Sequence, residues 1–411
     1  MREEKAIVAR KNVFELNDEQ LADVAKTLQE RIEEGLCKNN QEVQCIPTFI
    51  QPRTANLEGQ ALVLDLGGTN YRVASVEFHN GKTIIRPENG LKKDLSAMKT
   101  PGFTETQLFE EQAALIKKLK RNKDLPIGYC FSYPAESLPD GDAKVLRWTK
   151  GVNIPSMVGE PIGKPLVDYL NRETSPGFTG AKVINDTIAS LFAGLTRSDY
   201  DAYIGLIVGT GTNMATFIPA GKIPKLDGNI PKDGLIPINF ESGNFRPPYL
   251  TFVDRIVDAL SDNKGAQRFE KAVAGMYLGE IMKACYPHIS FEKKFDAERL
   301  ANIVDYPGIY APEYVHIARS IYLRSAQLVG AAIAGVVHLL RSYNPSIRRV
   351  RVMAEGSLFW SGSEHGGGYK EAVEYAMRSV LLELKQEGNV TVDIHREDNA
   401  NLIGSAIAAL S

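Results

Sequence analysis

A strand–glycine turn–strand motif occurs twice in this chain. Laying residues 64–75 over residues 207–218 places Gly68-Thr69-Asn70 on Gly211-Thr212-Asn213. Each copy runs from an apolar stretch through the turn into a second strand-like stretch. The period is too long for a solenoid. It predicts two α/β domains of similar topology, each offering a glycine hairpin to a shared cleft. A length of 411 residues, more than one hydrophobic core usually organises, points the same way.

In the first copy the apolar run 61–66 carries Asp65, followed by Gly67, Gly68, Thr69, Asn70 and Arg72. Glycines without a Cβ let backbone N–H groups approach an anion, and Asp65 at a strand end suits a cation. An ordinary hairpin explains the same residues equally well. The second copy has Val208 for Asp65 and Ala215 for Arg72, so only the first keeps a carboxylate for a metal.

Composition narrows the function classes. At 44% apolar and 24% charged the chain has material for a core, and a net charge of −2 offers nothing to nucleic acid or an anionic membrane. Residues 1–5 open without the apolar run of a signal peptide, so a cytoplasmic location is expected. The uncharged run 325–340, which includes Gln327 and His338, is too short and too polar to span a bilayer and reads as a buried helix. Cys37, Cys45, Cys130 and Cys285 form no CxxC pair and read as free thiols. The six histidines are scattered, which argues against a structural zinc.

Along the chain, Asn17 with Gln20 predicts a capped helix whose apolar face is Leu21, Val24, Leu28 and Ile32. A meander over 61–66, 71–78 and 82–85 turns at Asn80-Gly81, and a helix over 104–120 and a strand over 125–133 follow. Strands at 182–184, 202–208 and 214–219 bracket a helix at 188–196. Beyond Glu241 helices are expected at 251–260, 267–285, 314–342, 369–386 and 400–410, with strands at 349–354 and 390–395. Segments 220–234 and 361–368 read as surface loops.

Polar residues gather where these strands end, the place where α/β proteins put ligands. Asp186, between Asn185 and Thr187, is either a helix N-cap or a carboxylate poised to take a proton from a hydroxyl. Lys150 is either a solvated charge or, beside Thr149 and Ser132, part of a donor cluster. Glu241 and Glu270 would each pass for surface glutamates on their own.

The run Asp65-Leu-Gly-Gly-Thr-Asn-Tyr-Arg72 resembles the phosphate loop of the eukaryotic-type hexokinase/glucokinase family. So do Phe131-Ser-Tyr-Pro134, Leu146-Arg-Trp-Thr-Lys-Gly151, Ile184-Asn-Asp-Thr187, Gly209-Thr-Gly-Thr-Asn213 and Asn239-Phe-Glu241. Gln267-Arg-Phe-Glu-Lys271, Tyr277-Leu-Gly-Glu280 and Arg324-Ser-Ala326 match too, in family order, across nearly the whole chain from Ile46. The resemblance implies an actin/Hsp70-like pair of RNase H-related α/β domains flanking a deep cleft. The small domain is expected over 53–184 plus 399–411, and the large domain over 1–52 plus 185–398, with the nucleotide and most of the sugar contacts.

Under that resemblance Ser132, Thr149, Lys150, Asn185, Asp186, Asn213, Glu241 and Glu270 surround a hexose, with glucose the expected one. Asp186 is the general base on the 6-hydroxyl, and Lys150 offsets charge on the transferring phosphoryl group. ATP phosphates fall to Gly67, Gly68, Thr69, Asn70, Arg72 and Thr210, with Gly356 and Ser357 near the nucleotide. Asp65 holds Mg²⁺ through water. The implied activity is ATP- and Mg²⁺-dependent formation of hexose 6-phosphate, with a catalytically weak sugar sensor as the alternative. No nucleic-acid or membrane partner is expected, and the oligomeric state is open. The chain departs from the family with Glu355 for Asp before Gly356-Ser357, Ser242 for Trp after Glu241, Leu323 for Thr and Lys264 for Pro.

Overall fold

The computed structural model describes residues 13–52, 57–226, 234–287, 289–292, 295–362, 368–386 and 388–411. The opening residues 1–5, the expected domain boundary at 53 and parts of the loops at 220–234 and 361–368 lie outside them.

The first part of the chain carries α1 (Asp18–Cys37), β1 (Ile46–Pro47), β2 (Gly59–Leu66), β3 (Asn70–His79), β4 (Lys82–Asp94), α2 (Glu105–Ile116), β5 (Leu125–Phe131), β6 (Ala135–Ser137), β7 (Ala143–Val145), α3 (Gly163–Glu173) and β8 (Phe178–Ile184). Next come α4 (Asp186–Ala193), β9 (Ala202–Val208), β10 (Thr212–Pro219), β11 (Leu235–Asn239), α5 (Phe252–Leu260), α6 (Arg268–Val273), α7 (Gly275–Cys285) and α8 (Ala297–Asp305). The chain ends with α9 (Pro312–Tyr343), β12 (Arg349–Glu355), α10 (Tyr369–Glu383), β13 (Thr391–His395) and α11 (Ala400–Ala409).

Two sheets hold the architecture, ordered β4-β3-β2-β5-β8 and β1-β11-β10-β9-β12-β13. In the first, β2–β3–β4 is an antiparallel meander and β5 and β8 add in parallel beside β2. The second repeats the plan, with β9–β10–β11 as the meander and β12 and β13 in parallel beside β9. The duplicated glycine hairpin is thus the opening of a duplicated sheet. The two hairpins are not superimposable, however. Leu64 pairs with Val73, whereas Ile207 pairs with Asn213, so the second hairpin is three residues tighter than the overlay implies. Its turn is Gly209-Thr210-Gly211, where Gly209 N–H donates to the Gly211 carbonyl at 2.9 Å.

Local signals account for most elements. Asn17 Oδ1 accepts from Gln20 N–H at 2.8 Å and Gln20 Oε1 accepts from Asn17 N–H at 3.0 Å, the reciprocal cap expected of this pair. The single helix expected over 267–285 breaks at Ala274, which is extended (φ −81°, ψ 148°). There the Gly275 and Met276 N–H groups leave the helical ladder and donate to the Gly209 and Thr210 carbonyls at 2.8 and 3.3 Å. Tertiary hydrogen bonds to the second glycine turn replace one helical turn. Helices α3 and α8, strand β11 and the β6–β7 hairpin are additional to the elements expected from sequence.

Helix α9 runs 32 residues, well past 325–340, and is long and apolar enough by length and composition to cross a membrane; 83% of its apolar window is buried inside the protein. Shortness is therefore not what argues for a core helix; burial does.

Three glycines bring the sheets together. On β9, a Cβ at Gly205 would lie 2.5 Å from the Thr187 carbonyl of α4. On α11, one at Gly404 would lie 1.9 Å from the Ala189 carbonyl, and on β5 one at Gly128 would lie 2.0 Å from the Ser405 carbonyl. The order is β9, α4, α11, β5, with backbone against backbone at each step. Around these contacts Ala61, Val63, Ile184, Ile188, Ile403 and Ile407 form a core distinct from the cores on the outer faces of the two sheets. Gly404→Ala is expected to push α11 off α4 and destabilise the fold by about 3 kcal/mol. Urea denaturation measures this, and a midpoint equal to that of the parent would contradict the packing described.

Candidate active site

The first glycine turn is pinned from both sides. Gly67 N–H donates to the Asn70 carbonyl at 3.1 Å, and the Gly67 carbonyl accepts from the Tyr133 hydroxyl at 3.0 Å. A Cβ on Gly68 would stand 2.7 Å from Lys150 Cδ, so the lysine lies directly on the turn. Lys150 reaches this place through a left-handed backbone (φ +58°), and its Nζ donates to the Ser132 carbonyl at 2.7 Å. Trp148, just before it, is held by the ring contacts of Phe131 and Tyr133 and by an indole hydrogen bond to the Ile154 carbonyl.

These groups wall a cleft cavity of about 340 Å³. The turn residues Gly67, Gly68, Thr69 and Asn70 form one side; Ser132, Lys150 and Asp186 form another. Asp65 and Arg72 also face it but are committed to each other: Arg72 Nε and Nη2 donate to Asp65 Oδ2 at 2.9 and 2.6 Å. Arg72 Nη1 reaches Asn399 Oδ1 at 3.4 Å. The arginine therefore braces the carboxylate and ties it to the start of α11. Two residues not singled out from sequence complete the wall, Lys92 and Asn401. Asn401 Oδ1 is buried and has no hydrogen-bond partner among the described residues. An unpaired carboxamide oxygen facing the same space as a carboxylate suits the water shell of a hard cation. Among the described residues no three His, Cys, Asp or Glu side chains converge on a metal.

Asp186 is the first residue of α4. The N-cap is Asn185, whose Oδ1 accepts from Thr187 N–H at 2.8 Å; Asp186 Oδ1 accepts from the same N–H at 2.8 Å. Helix initiation thus rests on Asn185, and the carboxylate of Asp186 lies at the positive end of the helix while still lining the cavity.

On the large-sheet side a second polar cluster is preorganised. Asn213 Oδ1 accepts from Met214 N–H at 2.8 Å and Ser242 N–H at 3.1 Å, fixing the amide so that Nδ2 donates to Asn239 Oδ1 at 2.8 Å. Asn239 Nδ2 donates to Glu241 Oε1 at 2.7 Å, and Glu241 itself takes a left-handed backbone (φ +54°). Asn239 belongs to this cluster, although from sequence it stood only inside a motif. Glu270 Oε2 accepts from Thr212 N–H at 3.1 Å and would lie 2.6 Å from a Cβ on Gly211. Burial raises the Glu241 carboxyl above its ordinary value, and the charge of Asp186 adds to the effect. Burial raises Glu270 as well, with Glu241 adding and Lys150 opposing. Asp186 and Lys150 are thus felt electrostatically by this second cluster while lining the neighbouring cavity. Thr149 is partly buried beside Lys150, its carbonyl accepting from Val152 N–H at 3.1 Å.

Thr210, Gly356 and Ser357 do not line the cavity of the first hairpin; Gly356 and Ser357 lie against Gly209, next to Thr210. Gly356 (φ +111°) would carry a Cβ 2.2 Å from the Val208 carbonyl, so only glycine fits. A Cβ on Gly209 would lie 3.2 Å from Gly356 Cα, so the turns at 209–211 and 355–357 abut. Glu355 ends β12 and accepts from Ser190 Oγ on α4. Burial pushes its carboxyl up to about 7; Asp186 and Asp65 add to this, and Ser190 and Arg72 oppose it.

Two sheets of duplicated topology flanking a polar cleft define the two-domain actin-like ATPase fold. Hexokinase family models match residues 7–195, then 203–302 and 313–411. The chain belongs to the hexokinase family. It is 32% identical over 299 residues to Hexokinase-2 of Schizosaccharomyces pombe, covering 70% of this chain and 65% of that one. Hexokinase-1 of Saccharomyces cerevisiae is 27% identical over 452 residues, covering 97% and 90%. Among solved structures, a Schistosoma mansoni hexokinase complexed with glucose superposes over 100% of this chain and 99% of its own, with a TM-score of 0.76 and 24% identity.

Glu355 makes stability depend on pH. Its folded value of about 7 lies above the ordinary 4.5, so the folded state holds a proton that the unfolded chain releases. That contribution is full below about pH 4.5 and is lost as pH rises through 7. Glu355→Gln, which keeps an acceptor for Ser190, is expected to raise stability over the parent by roughly 1–3 kcal/mol at pH 8, with little difference near pH 5. Urea melts at the two pH values read this directly; a gap that is the same at both would refute the assignment.

Proposed function

We propose that the protein transfers the γ-phosphoryl group of MgATP to the 6-hydroxyl of a hexose, with glucose the expected sugar. The observation that supports this most is the place of Asp186. It lines the cavity beside the first glycine turn, and its charge also reaches the Asn213–Asn239–Glu241 cluster. A carboxylate at such a junction can take a proton from a hydroxyl as that oxygen attacks phosphorus.

Sugar recognition follows from the second cluster. Adjacent hydroxyls of a hexose each donate and accept, and carboxylates and amides fixed by their own hydrogen bonds read them as pairs. Glu241, Glu270, Asn213 and Asn185 supply such groups, with Ser132 and Thr149 on the opposite wall. An analogue lacking one hydroxyl would leave a buried partner unpaired, which is how a site like this selects.

Lys150 lies against Gly68 and beside Ser132, where it can move from a backbone carbonyl to a transferring phosphoryl oxygen. The turn 67–70 and Thr210 meet the phosphates, and Gly356 and Ser357 approach the nucleotide. Mg²⁺ would arrive as part of the substrate, and Asp65 and Asn401 are the residues that would hold its water shell. Arg72 acts mainly through Asp65, holding that carboxylate in orientation. Closure of the cleft would exclude the water that competes with the sugar hydroxyl.

Asp186→Ala is expected to lower kcat about 10³-fold, measured as ADP release with glucose, while calorimetry still detects glucose binding. Turnover equal to the parent would overturn the role of Asp186. Retained sugar binding with no turnover in the parent itself would favour a sugar sensor.

A further inference from the structure

Two sequence motifs, Gln267-Arg-Phe-Glu-Lys271 and Arg324-Ser-Ala326, meet around helix α6. Glu270 is the third residue of this six-residue helix, and its Oε2 accepts from Thr212 N–H at 3.1 Å. The C-terminal end of α6 is tied down through its main chain. The Val273 carbonyl accepts from Ser325 Oγ of α9 at 2.7 Å, and Gly275 N–H just beyond donates to the Gly209 carbonyl at 2.8 Å. The N-terminal end lacks such ties. Gln267 before it takes a left-handed backbone (φ +51°), and its side chain caps no N–H. A helix this short does not hold its own first turn.

That turn is held by an ion cluster instead. Arg268 and Lys271, three residues apart, project from one face of α6, and Glu270 projects from the other side. Arg268 Nη1 donates to Asp258 Oδ2 at 2.9 Å and Lys271 Nζ to Asp258 Oδ1 at 2.7 Å, with both cations buried. Asp258 Oδ1 also accepts from Gly265 N–H at 3.0 Å, and Lys271 Nζ donates to the Asn263 carbonyl at 2.9 Å, so the loop 261–267 closes over the same carboxylate. Asp258 is in turn fixed from the core. One helical turn earlier on α5, Asp254 accepts from Arg324 of α9 at 2.8 Å on each oxygen. Adjacent residues of α9 thus hold α6 at both ends, Ser325 directly and Arg324 by way of α5.

We propose that Asp258 is a positioning residue for Glu270 and thereby sets the affinity for the sugar. The inference rests on the reading of Glu241 and Glu270 as sugar ligands. The hydrogen bonds of Asp258 run to Arg268, Lys271 and Gly265, not to the sugar cluster, so its influence passes through α6. A buried ion cluster of this kind keeps its geometry, because breaking it leaves a charge without a partner. With Asp258 in place, Glu270 meets a hydroxyl with its carboxylate already aimed. Without that carboxylate, Glu270 keeps Thr212 N–H as an anchor on a loosened turn, and sugar binding has to order the turn first. The C-terminal end of α6 stays tied to Ser325 and to the turn at 209–211, so the expected defect is confined to the sugar.

The test is a double-mutant cycle in the full chain, Asp258→Asn against Glu270→Gln, read by calorimetry of glucose binding with KM for MgATP beside it. Asp258→Asn keeps an oxygen for Gly265 N–H. It is expected to raise Kd for glucose about tenfold in the parent, and by less than about twofold in the Glu270→Gln background. KM for MgATP is expected to stay within about twofold of the parent. Asp258→Asn also leaves the buried Lys271 without its counter-ion, so Arg268→Met is carried in parallel. It severs one arm of the cluster while Asp258 and Lys271 still pair, and is expected to raise Kd for glucose about threefold. Glucose binding by Arg268→Met and Asp258→Asn equal to the parent would overturn the proposal. So would an undiminished effect of either substitution in the Glu270→Gln background, because the loss would then be general loosening and not the aim of Glu270. A parent that binds no glucose would sink the sugar reading and this proposal together; a parent that binds it, with both variants binding as tightly, would sink this proposal alone.

Discussion

The contact of three backbone segments at Gly205, Ala189 and Gly404 sets the geometry of everything else. Helix α4 lies between β9 and α11 with no side chain at its closest approaches. That fixes its N-terminus, and hence Asp186, relative to both sheets at once. The same packing brings the start of α11 to the cleft, so that Asn399 meets Arg72 and Asn401 faces the cavity. A residue with a Cβ at Gly205 or Gly404 would have to displace backbone, which a close-packed interior resists. The geometry of the cleft is therefore inherited from how two copies of one sheet plan are stapled together.

Electrostatics then divide the cleft. The small-sheet wall carries Arg72, Lys92 and Lys150 around a single braced carboxylate. The large-sheet wall carries Glu241, Glu270 and Glu355, all raised in pKa chiefly by burial. A polyanion is favoured on one wall and a neutral polyol, able to pair with each carboxylate and amide, on the other. Asp186 belongs to both. Glu355 is the costly member: a carboxyl held at β12 against Ser190, close enough to Asp65 and Asp186 to resist ionisation. Its position, one residue before a glycine that nothing else could replace, links the turn at 355–357 to the helix that carries Asp186.

Much of this was legible in the sequence. The Gly-Thr-Asn repeat announced the duplicated hairpin, and the sheets indeed share the plan of a meander followed by two parallel strands. The capping pair Asn17 and Gln20 set a helix start, and Asp65, Gly67, Gly68, Asp186 and Lys150 meet at one cavity. What escaped was whatever depends on tertiary partners. The break at Ala274 follows from hydrogen bonds to a turn more than sixty residues earlier, invisible to helical periodicity. The tighter second hairpin follows from Gly209 and Gly211 flanking Thr210, a difference that an ungapped overlay conceals. Asn401 and Lys92 carry no local signal. One is placed by helix packing, and the other by strand register in a strand that runs on to Asp94, beyond the 82–85 expected from sequence. The pairing of Arg72 with Asp65 was also hidden, because it follows from the two lying opposite each other in adjacent strands.

The central claim is that this cleft carries out phosphoryl transfer to a sugar hydroxyl. The most direct measurement is ³¹P NMR of the full chain incubated with MgATP and glucose. The account predicts loss of the γ-phosphate resonance together with the appearance of ADP and a phosphomonoester coupled to the C6 methylene protons. Inorganic phosphate as the product, or an unchanged ATP spectrum, would contradict it.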